Sequence, residues 1–182
     1  MNVIRCELEG LLVIEPKAIG DARGFFLETW NQRRFRDCGI EASFVQDNVS
    51  FSRRGTLRGL HFQNPTPQGK LVSALRGEVF DVVVDIRRSS PTFRRWHGIV
   101  LSEENKRQVF VPPGFAHGFV VLSETALFHY KCTDFYSPKD ELTIRWNDPD
   151  LDIRWPIQQP VLSDKDAHAP LLRELPPERL FD

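Results

Sequence analysis

Two segments of the chain carry histidine and lysine at spacings that could do chemistry. In residues 55–77, His61 and Lys70 stand at fixed distances from flanking glycines. In residues 112–117, His117 follows a Pro-x-Gly turn. An imidazole can remove a proton or bind a metal ion, and a lysine ammonium can stabilise a developing negative charge. The two segments therefore predict a pocket for proton transfer, electrostatic catalysis or metal binding.

These spacings are similar to those of cupins, small β-barrels that hold a metal ion with histidine and glutamate inside the barrel. The usual His-x-His pair, however, is His61-Phe62-Gln63 here, and Lys70 stands where a ligand glutamate is expected. A lysine ammonium repels a metal cation, and two imidazoles fill at most half of a four-ligand site. We therefore expect a cupin scaffold without metal or cofactor, whose pocket works by proton transfer or by binding alone.

The elements that must position these residues have the period of β-strands. Residues 79–86 alternate, with one apolar face and one face that carries aspartates (Phe80, Val82, Val84 and Ile86 against Asp81 and Asp85). Further short apolar runs, at 71–75, 98–101, 108–111, 119–122 and 126–133, are separated by turn signals at 76–77, 89–91, 112–114 and 136–138. This pattern predicts an all-β fold, a cupin-type jelly-roll barrel or sandwich.

Helix signals are sparse, and we expect one or two short helices. Residues 31–38 have helical spacing, with Asn31 as a plausible N-cap and Gly39 as the C-terminal stop. From residue 160 onward, four prolines argue against a regular strand or helix, so residues 160–182 are expected to form an irregular tail. Neither a repeat nor a domain boundary is visible, and residues 1–182 are expected to form a single domain.

Composition excludes several classes of protein. A chain of 182 residues can bury roughly 70% of the surface that its unfolded form exposes, which is enough for a real core. The formal net charge is −1, and a binder of double-stranded nucleic acid would be expected to carry excess positive charge. Arginine is locally dense, at 33–36, 53–54, 87–88 and 94–95. These clusters are typical of solvated faces, with one or two arginines available to a small anionic ligand.

Cysteine usage and the N-terminus give no support for a secreted, disulfide-bonded protein. Cys6, Cys38 and Cys132 are odd in number and widely spaced, which argues against a disulfide framework. Cys132 lies in an alternating run and is expected to be a small buried hydrophobe. The N-terminal residues carry charges every few positions, and no stretch approaches 18 apolar residues, so neither a signal peptide nor a membrane span is expected. Cytoplasmic residence is the expectation by default.

Alternation also predicts where the polar groups face. Tyr130 shares parity with apolar neighbours, which places it on the interior face. Arg58 and His61 have opposite parity, so a regular strand cannot aim both into one pocket unless Gly59 provides a bend or bulge. Taken alone, Tyr130 is typical of a core tyrosine with a satisfied hydroxyl, and His61 of a structural histidine. Their catalytic interpretation needs further context.

That context comes from eight segments, taken in order, which resemble the dTDP-4-dehydrorhamnose 3,5-epimerase family. The resemblance runs from the N-terminal strand to Asp166, and any single segment would be weak evidence. The segments are residues 21–28, 44–48, 57–61, 68–70, 111–119, 130–136, 144–149 and 162–166. The resemblance implies a homodimeric, metal-free jelly roll that inverts C5 and C3 of a dTDP-linked 4-keto-6-deoxyhexose and so makes the L-rhamnose precursor.

The resemblance also implies four catalytic roles. His61 matches the base that removes a proton beside the C4 ketone, and imidazole has an ordinary pKa of about 6.5, which suits this task near neutral pH. Asp166 matches the carboxylate that orients the imidazole. Lys70 would stabilise negative charge on the C4 oxygen in place of a metal. Tyr130 matches the proton donor, since a phenol with an ordinary pKa of about 10 keeps its proton until an enolate takes it.

A substrate-binding set follows from the same resemblance, and most of its members hold the nucleotide and phosphates. The set is Arg23, Phe26, Glu28, Gln46, Asp47, Asn48, Arg58, Lys70, His117, Tyr136, Glu141 and Lys165. Tyr136 matches an aromatic residue that stacks on thymine, and an arginine fork suits the oxygen pair of a diphosphate. Apart from the resemblance, Glu28, Glu141 and Lys165 would be interpreted as ordinary surface charges.

Other functions remain open at this point. A relative that epimerises one carbon only, or that acts on another nucleotide-linked keto sugar, shares the same motifs. A non-catalytic sugar-binding cupin would be expected to lack the combination of His61, Lys70 and Tyr130. A metal-dependent cupin dioxygenase is disfavoured by Gln63 and Lys70. Neither the choice between C3, C5 or both, nor the oligomeric state, follows from the residues alone.

Overall fold

The computed structural model describes residues 1–182 and contains two antiparallel sheets that pack face to face. The six-stranded sheet has the order β1-β2-β10-β7-β12-β5 and the five-stranded sheet the order β13-β6-β11-β8-β9. The strands are β1 (Asn2–Arg5), β2 (Leu12–Glu15), β3 (Ile19–Asp21), β4 (Gly24–Phe26), β5 (Gln46–Arg53), β6 (Leu57–Gln63), β7 (Lys70–Arg76), β8 (Glu78–Asp85), β9 (Trp96–Ser102), β10 (Gln108–Val111), β11 (Phe115–Val121), β12 (Thr125–Cys132) and β13 (Glu141–Thr143). The predicted all-β, cupin-type fold is confirmed.

The main core lies between the two sheets. It contains Val13 and Val72 from the six-stranded sheet and Val83, Leu101 and Phe119 from the five-stranded sheet, all nearly inaccessible to solvent. Alternation along each strand explains this arrangement, because every second side chain points to the same face. Polar side chains of the interior faces, together with Phe119 and Phe128, line the cavity described below.

Both faces of strand β8 are buried. Its apolar row, which includes Val82 and Val84, lies on the outer face of the five-stranded sheet and packs against Leu172 and Leu175 of the C-terminal segment. Asp81 points the other way, as the alternation predicts, and is fully buried within the sandwich. The five-stranded sheet therefore carries apolar side chains on one face and a mixture of apolar and charged side chains on the other.

The expectation of a wholly irregular tail was wrong. Helix α2 (Asp164–Ala167) forms one turn, and two 3₁₀ turns follow at Leu172–Glu174 and Pro177–Arg179. The Oγ atom of Ser163 accepts a hydrogen bond from the backbone N–H of Asp166, which caps α2. The cap stabilises this single turn, which lies between the prolines and contains none of them. Burial of Leu172 and Leu175 holds the segment against the sheet.

The predicted N-terminal helix is confirmed as α1 (Gln32–Arg36). The Asn31 side chain accepts hydrogen bonds from the backbone N–H groups of Arg33 and Arg34, as an N-cap does. Phe35 is buried from α1 against the outer face of the six-stranded sheet. Neither α1 nor α2 has the length and apolar character that a helix needs to cross a membrane.

Candidate active site

A cavity of about 330 Å³ opens between the two sheets. Residues of β5, β6, β7, β11, β12 and β13 contribute to its wall, together with the loops that precede β7 and β13. Its lining consists of Gln46, Asn48, Ser50, Arg58, His61, Phe62, Gln63, Gln68, Lys70, His117, Phe119, Phe128, Tyr130, Cys132, Tyr136 and Glu141. The cavity thus brings together most of the residues that the sequence predicts for the site.

A bulge in β6 aims both Arg58 and His61 into this cavity. His61 pairs with His117 of β11, whereas Arg58 pairs with Phe119, so two steps along β11 span three steps along β6. On a regular strand Arg58 and His61 would face opposite sides of the sheet, and the extra residue of the bulge turns them to the same side. Both side chains line the cavity, as the predicted bend allows.

Only glycine fits at the centre of this bulge. Gly59 has φ +130°, a conformation that residues with a Cβ rarely adopt. A Cβ at Gly59 would also lie 2.6 Å from the Cα of Gly118 on the neighbouring strand. The close approach of the two glycine backbones therefore permits the irregularity that turns Arg58 and His61 to the same side.

His61 is paired with a buried carboxylate. Its Nε2 lies 2.6 Å from Oδ1 of Asp166, whose residue is only 2% exposed. Burial alone would raise the pKa of Asp166, but the hydrogen bond and charge of His61 outweigh it and lower that pKa. Because Nε2–H donates a hydrogen bond to the ionised carboxylate, the lone pair of the neutral imidazole is on Nδ1. Nδ1 has no hydrogen-bond partner within the chain.

Lys70 and Tyr130 line the cavity from neighbouring strands of the six-stranded sheet. Lys70 pairs with Cys132 on β12, two positions from Tyr130. Burial lowers the pKa of Lys70, and its ammonium forms no salt bridge within the chain. Burial likewise raises the pKa of Tyr130, which keeps the phenol protonated. The cavity wall therefore holds one cation without a carboxylate partner beside one neutral acid.

A second histidine–carboxylate pair lies next to the first. Nε2 of His117 is 2.8 Å from Oδ2 of Asp81, and both residues are buried. The other carboxylate oxygen, Oδ1 of Asp81, has no hydrogen-bond partner. The pair orients His117 at the cavity wall directly opposite His61 in the β6–β11 register.

The mouth of the cavity carries a ring of predicted ligand residues. The Tyr136 hydroxyl donates to Oε2 of Glu141 at 3.0 Å, and Nζ of Lys165 lies 2.8 Å from the same oxygen. Burial alone would raise the pKa of Glu141, but Lys165, His61 and Tyr136 together lower it. Glu141 is therefore a charged group that links α2 to the aromatic ring at the mouth.

Five predicted binding residues do not line the cavity: Lys165 reaches it only through its bond to Glu141, and the other four lie further away. Asp47 lies between Gln46 and Asn48 on β5 and so points to the outer face, where its carboxylate is 2.7 Å from Nζ of Lys131. Arg23 and Phe26 lie on the exposed β3–β4 hairpin, and Glu28 follows it and bonds Arg34 and Asn31 at 3.1 Å. Phe26 is 69% exposed. The hairpin thus presents its predicted ligand residues to solvent.

Several site residues were missed from the sequence, although alternation could have found some of them. Ser50 shares parity with Gln46 and Asn48 on β5, and its Oγ atom is buried in the cavity wall without a hydrogen-bond partner. Asp81 shares parity with the interior residues of β8. Gln68 is different, because it lies in a loop with no periodic signal.

Together, the histidine–aspartate pair, an unpaired ammonium and a neutral phenol around one cavity define an isomerase that moves a proton beside a carbonyl group. Such a reaction needs a base, a group that stabilises the enolate and an acid. A cupin-type fold with this set, and without the full histidine and glutamate ligand set of the metal-binding cupins, is typical of the sugar epimerases. Comparison with known proteins identifies the particular family.

The profile of the dTDP-4-dehydrorhamnose 3,5-epimerase family matches residues 5–174, and the chain belongs to that family. A Pseudomonas aeruginosa dTDP-4-dehydrorhamnose 3,5-epimerase is 58% identical over 171 residues, which cover 93% of this chain and 94% of the relative. The predicted family and isomerase class are confirmed.

Solved structures agree with this assignment. The epimerase of Legionella pneumophila Philadelphia 1, in complex with dTDP-4-keto-L-rhamnose, is 54% identical and superposes with a TM-score of 0.97 over 99% of this chain and 97% of its own. A 3′-monoepimerase of Streptomyces bikiniensis, in complex with dTDP-quinovose, is 36% identical with a TM-score of 0.86, over 92% of this chain and 86% of its own. Both comparisons concern proteins that carry dTDP-linked sugars.

Proposed function

We propose that the protein is a dTDP-4-dehydro-6-deoxy-D-glucose 3,5-epimerase, which inverts C3 and C5 beside the C4 ketone and yields dTDP-4-dehydro-L-rhamnose. The observation that carries this proposal is the convergence of His61, Lys70 and Tyr130 on one cavity, with Asp166 bonded to His61. Both carbons flank the same carbonyl group, so one set of residues can serve both inversions.

The first step is removal of a proton beside the ketone. We assign this step to Nδ1 of His61, because Nε2 is engaged with Asp166 at 2.6 Å. The proton moves from the sugar carbon to Nδ1, the electron pair of the C–H bond forms a C=C bond to C4, and the π pair of the carbonyl group moves onto the C4 oxygen to give an enolate. The carboxylate of Asp166 stabilises the imidazolium that results.

The enolate then needs a cation and a proton. The unpaired ammonium of Lys70 can bond the C4 oxygen and so stabilise its negative charge, an effect that is strong in a cavity that excludes water. The phenol of Tyr130 can deliver its proton to the carbon from the face opposite the base. Before the next turnover, the tyrosinate that forms regains a proton, either from solvent or from the proton that the imidazolium of His61 releases.

The nucleotide part of the substrate belongs at the mouth of the cavity. The Tyr136 ring is half exposed there and can stack on the thymine base. The Nε of Arg58 donates to Oγ of Ser52 at 3.0 Å, and its terminal nitrogen atoms remain available to a diphosphate. His117, held by Asp81, supplies another donor to the same region.

We also propose that the protein is a homodimer in which the β3–β4 hairpin reaches the partner's cavity. Arg23 and Phe26 lie on this hairpin, away from the cavity of their own chain. Strand β5 ends its sheet and exposes Val49 and Phe51, which are 58% and 57% accessible. An unpaired apolar edge strand is a site for association with a second copy.

A mixed dimer tests this arrangement. One subunit carries Arg23→Ala and the other His61→Ala, so neither homodimer has an intact site. If Arg23 acts in the partner's cavity, the mixed dimer has one intact site and recovers up to half of the wild-type activity. Absence of any recovery, or a monomer in sedimentation experiments, would contradict the proposal.

We further propose that residues 1–182 act as one domain in the cytoplasm. The C-terminal segment both covers the outer face of the five-stranded sheet and supplies Asp166 to His61, so the segment is inseparable from the rest. Three free cysteines, Cys6, Cys38 and Cys132, suit a reducing compartment. Fractionation of the native host with an antibody to the protein would test the localisation.

The alternative function is epimerisation of a single carbon on a related nucleotide-linked keto sugar, as the similarity to a monoepimerase allows. The decisive experiment is NMR of the reaction of dTDP-4-keto-6-deoxyglucose in D₂O. Deuterium at both C3 and C5 supports the 3,5-epimerase. Deuterium at one carbon supports the alternative, and deuterium at neither carbon would reject both.

A further inference from the structure

Three glutamine side chains hold the loop that carries Tyr136. Gln46 begins β5, Gln63 ends β6, and Gln68 precedes β7, so the three approach the loop from both sheets. We call them the glutamine brace. Gln46 is predicted to be a substrate ligand and Gln63 to replace a metal ligand, whereas Gln68 has no predicted role.

The brace bonds the backbone of four consecutive loop residues. Gln68 Nε2 donates to the carbonyl oxygen of Asp134 at 2.8 Å, and Gln63 Nε2 donates to that of Phe135 at 3.3 Å. The N–H of Tyr136 donates to Oε1 of Gln46 at 2.9 Å, and the N–H of Ser137 donates to Oε1 of Gln63 at 2.8 Å.

Gln63 contributes most to this arrangement. Its residue is 4% exposed, and its amide also donates to the carbonyl oxygen of Thr66 at 2.9 Å. Both ends of the amide are therefore engaged with backbone groups, and none of its hydrogen-bonding capacity is aimed at a sugar. A buried amide that loses such partners leaves backbone groups unsatisfied, which is costly.

The amide of Gln46 is likewise committed. Its oxygen accepts from Tyr136 and its nitrogen donates to Oδ1 of Asn48 at 3.1 Å. Gln46 thus connects the loop to Asn48 at the cavity wall. The aromatic ring of Tyr136 projects from this fixed backbone at the mouth, with its hydroxyl bonded to Glu141.

We propose that the glutamine brace positions Tyr136 so that its ring is pre-organised for the nucleobase before substrate binds. Gln63 and Gln68 are then positioning residues that determine nucleotide affinity without touching the nucleotide. A fixed ring loses less conformational entropy on binding than a mobile one, so pre-organisation increases affinity. This inference rests on the proposed function, because it takes the ligand to be a dTDP-linked sugar.

The test is calorimetric binding of dTDP and of pyrophosphate to the full-length protein and to Gln63→Leu. Leucine fills the same space but cannot hold the loop. Stacking of a base on an aromatic ring contributes about 1–3 kcal/mol, so we expect dTDP to bind roughly tenfold more weakly. Pyrophosphate has no base and should bind within twofold of the wild type. Gln68→Leu, which loses a single bond, serves as a milder second variant if Gln63→Leu folds poorly.

A double-mutant cycle separates positioning from general damage. In the Tyr136→Ala background, Gln63→Leu should change dTDP affinity by less than twofold, because the ring that it positions is already absent. Asn105→Ala is the matched control, since this amide also makes three hydrogen bonds, to Ser102, Arg107 and Val100, in a distant turn. Asn105→Ala should lower thermal stability and leave dTDP binding unchanged.

The outcomes separate the brace from the proposed function. Equal weakening of dTDP and pyrophosphate binding, or additive effects of Gln63→Leu and Tyr136→Ala, would contradict the proposed positioning role of the glutamine brace. So would unchanged dTDP binding by Gln63→Leu and Gln68→Leu in a protein whose wild type binds dTDP. A wild type that binds no dTDP would overturn the proposed function itself and with it the ligand of the brace.

Discussion

The Nε2 atom of His61 lies 2.6 Å from Oδ1 of Asp166, although 105 positions separate the two residues in the chain. The carboxylate reaches the imidazole because the C-terminal segment returns across the five-stranded sheet and places α2 beside β6. The contact fixes which nitrogen of His61 faces the cavity. Several expectations for the reaction depend on it.

Replacement of the base should abolish most of the activity. We expect His61→Ala to lower kcat by about two to four orders of magnitude, the usual range for a general base, with little change in dTDP affinity. Asp166→Asn should lower kcat as well, because the amide cannot stabilise an imidazolium. Steady-state kinetics with deuterium exchange at C5 checks this, and unchanged exchange in His61→Ala would place the base elsewhere.

Loss of the phenol should damage proton return more than proton removal. Tyr130→Phe keeps His61 and Lys70, so an enolate can still form and take a proton back on its original face. Solvent deuterium should then enter the sugar faster than net inversion occurs, which NMR in D₂O can follow. If exchange and inversion fall by the same factor, Tyr130 acts only as part of the cavity wall.

The reaction should not require a metal ion. Gln63 and Lys70 stand where cupins place metal ligands, and the amide of Gln63 is engaged with backbone groups. Exhaustive treatment with a chelator should therefore leave the turnover rate unchanged, in parallel with a zinc-dependent enzyme as a positive control. Stoichiometric zinc, iron or manganese in active, purified protein would contradict this expectation.

Deprotonation of Lys70 should lower the activity at alkaline pH, and it should do so below the pH at which a solvated lysine titrates. Burial lowers its pKa from 10.5, so its ammonium loses the proton at lower pH than a solvated lysine and no longer stabilises the enolate. The raised pKa of Tyr130 keeps that phenol protonated over the same range. Profiles of kcat/KM against pH should fall on the alkaline side, and Lys70→Arg should shift this fall to higher pH, whatever its absolute rate.

Lys17→Met is the control for this pH profile, because Lys17 is exposed between β2 and β3 and its ammonium forms no hydrogen bond or salt bridge with the rest of the chain. Its alkaline limb should coincide with that of the wild type. An unchanged limb in Lys70→Arg would assign the titration to another group.

Asp85 should contribute to acid stability. Its burial would raise the pKa, but hydrogen bonds from Arg87, Ser90 and Thr92 lower it from 3.8 to about 2. A depressed carboxyl pKa stabilises the fold above pH 3.8, and the contribution of about 2 kcal/mol is lost as pH falls toward 2. Asp85→Asn should therefore reduce the free energy of unfolding at pH 7 and flatten its decline between pH 4 and 2.

Urea unfolding at several pH values measures this effect. Asp182→Asn is the control, since Asp182 is 96% exposed and lies 4.0 Å from Arg88. A surface pair of this kind contributes little, so the control should match the wild type within about 0.5 kcal/mol. Equal acid profiles for Asp85→Asn and the wild type would contradict the assignment.

The sequence by itself determined the strands and the chemical residues of the site. Alternation with a period of two is a local property, so it placed Tyr130 on an interior face and marked β8, β9 and β10 close to their observed ends. The asparagine N-cap of α1 is equally local. Motif resemblance then supplied His61, Lys70 and Asp166 as a catalytic set, although it could not show how they meet.

Only the tertiary structure decided the relations that depend on distant segments. The bulge at Gly59 required the neighbouring glycine of β11, and the burial of Val82 and Val84 required the C-terminal segment on the outer face of their sheet. The helical turn that carries Asp166 is stabilised by a cap and by packing, which outweigh the prolines nearby. Side-chain direction at an irregular position, and the partner of a buried charge, are set by long-range packing, and a one-dimensional pattern does not contain that information.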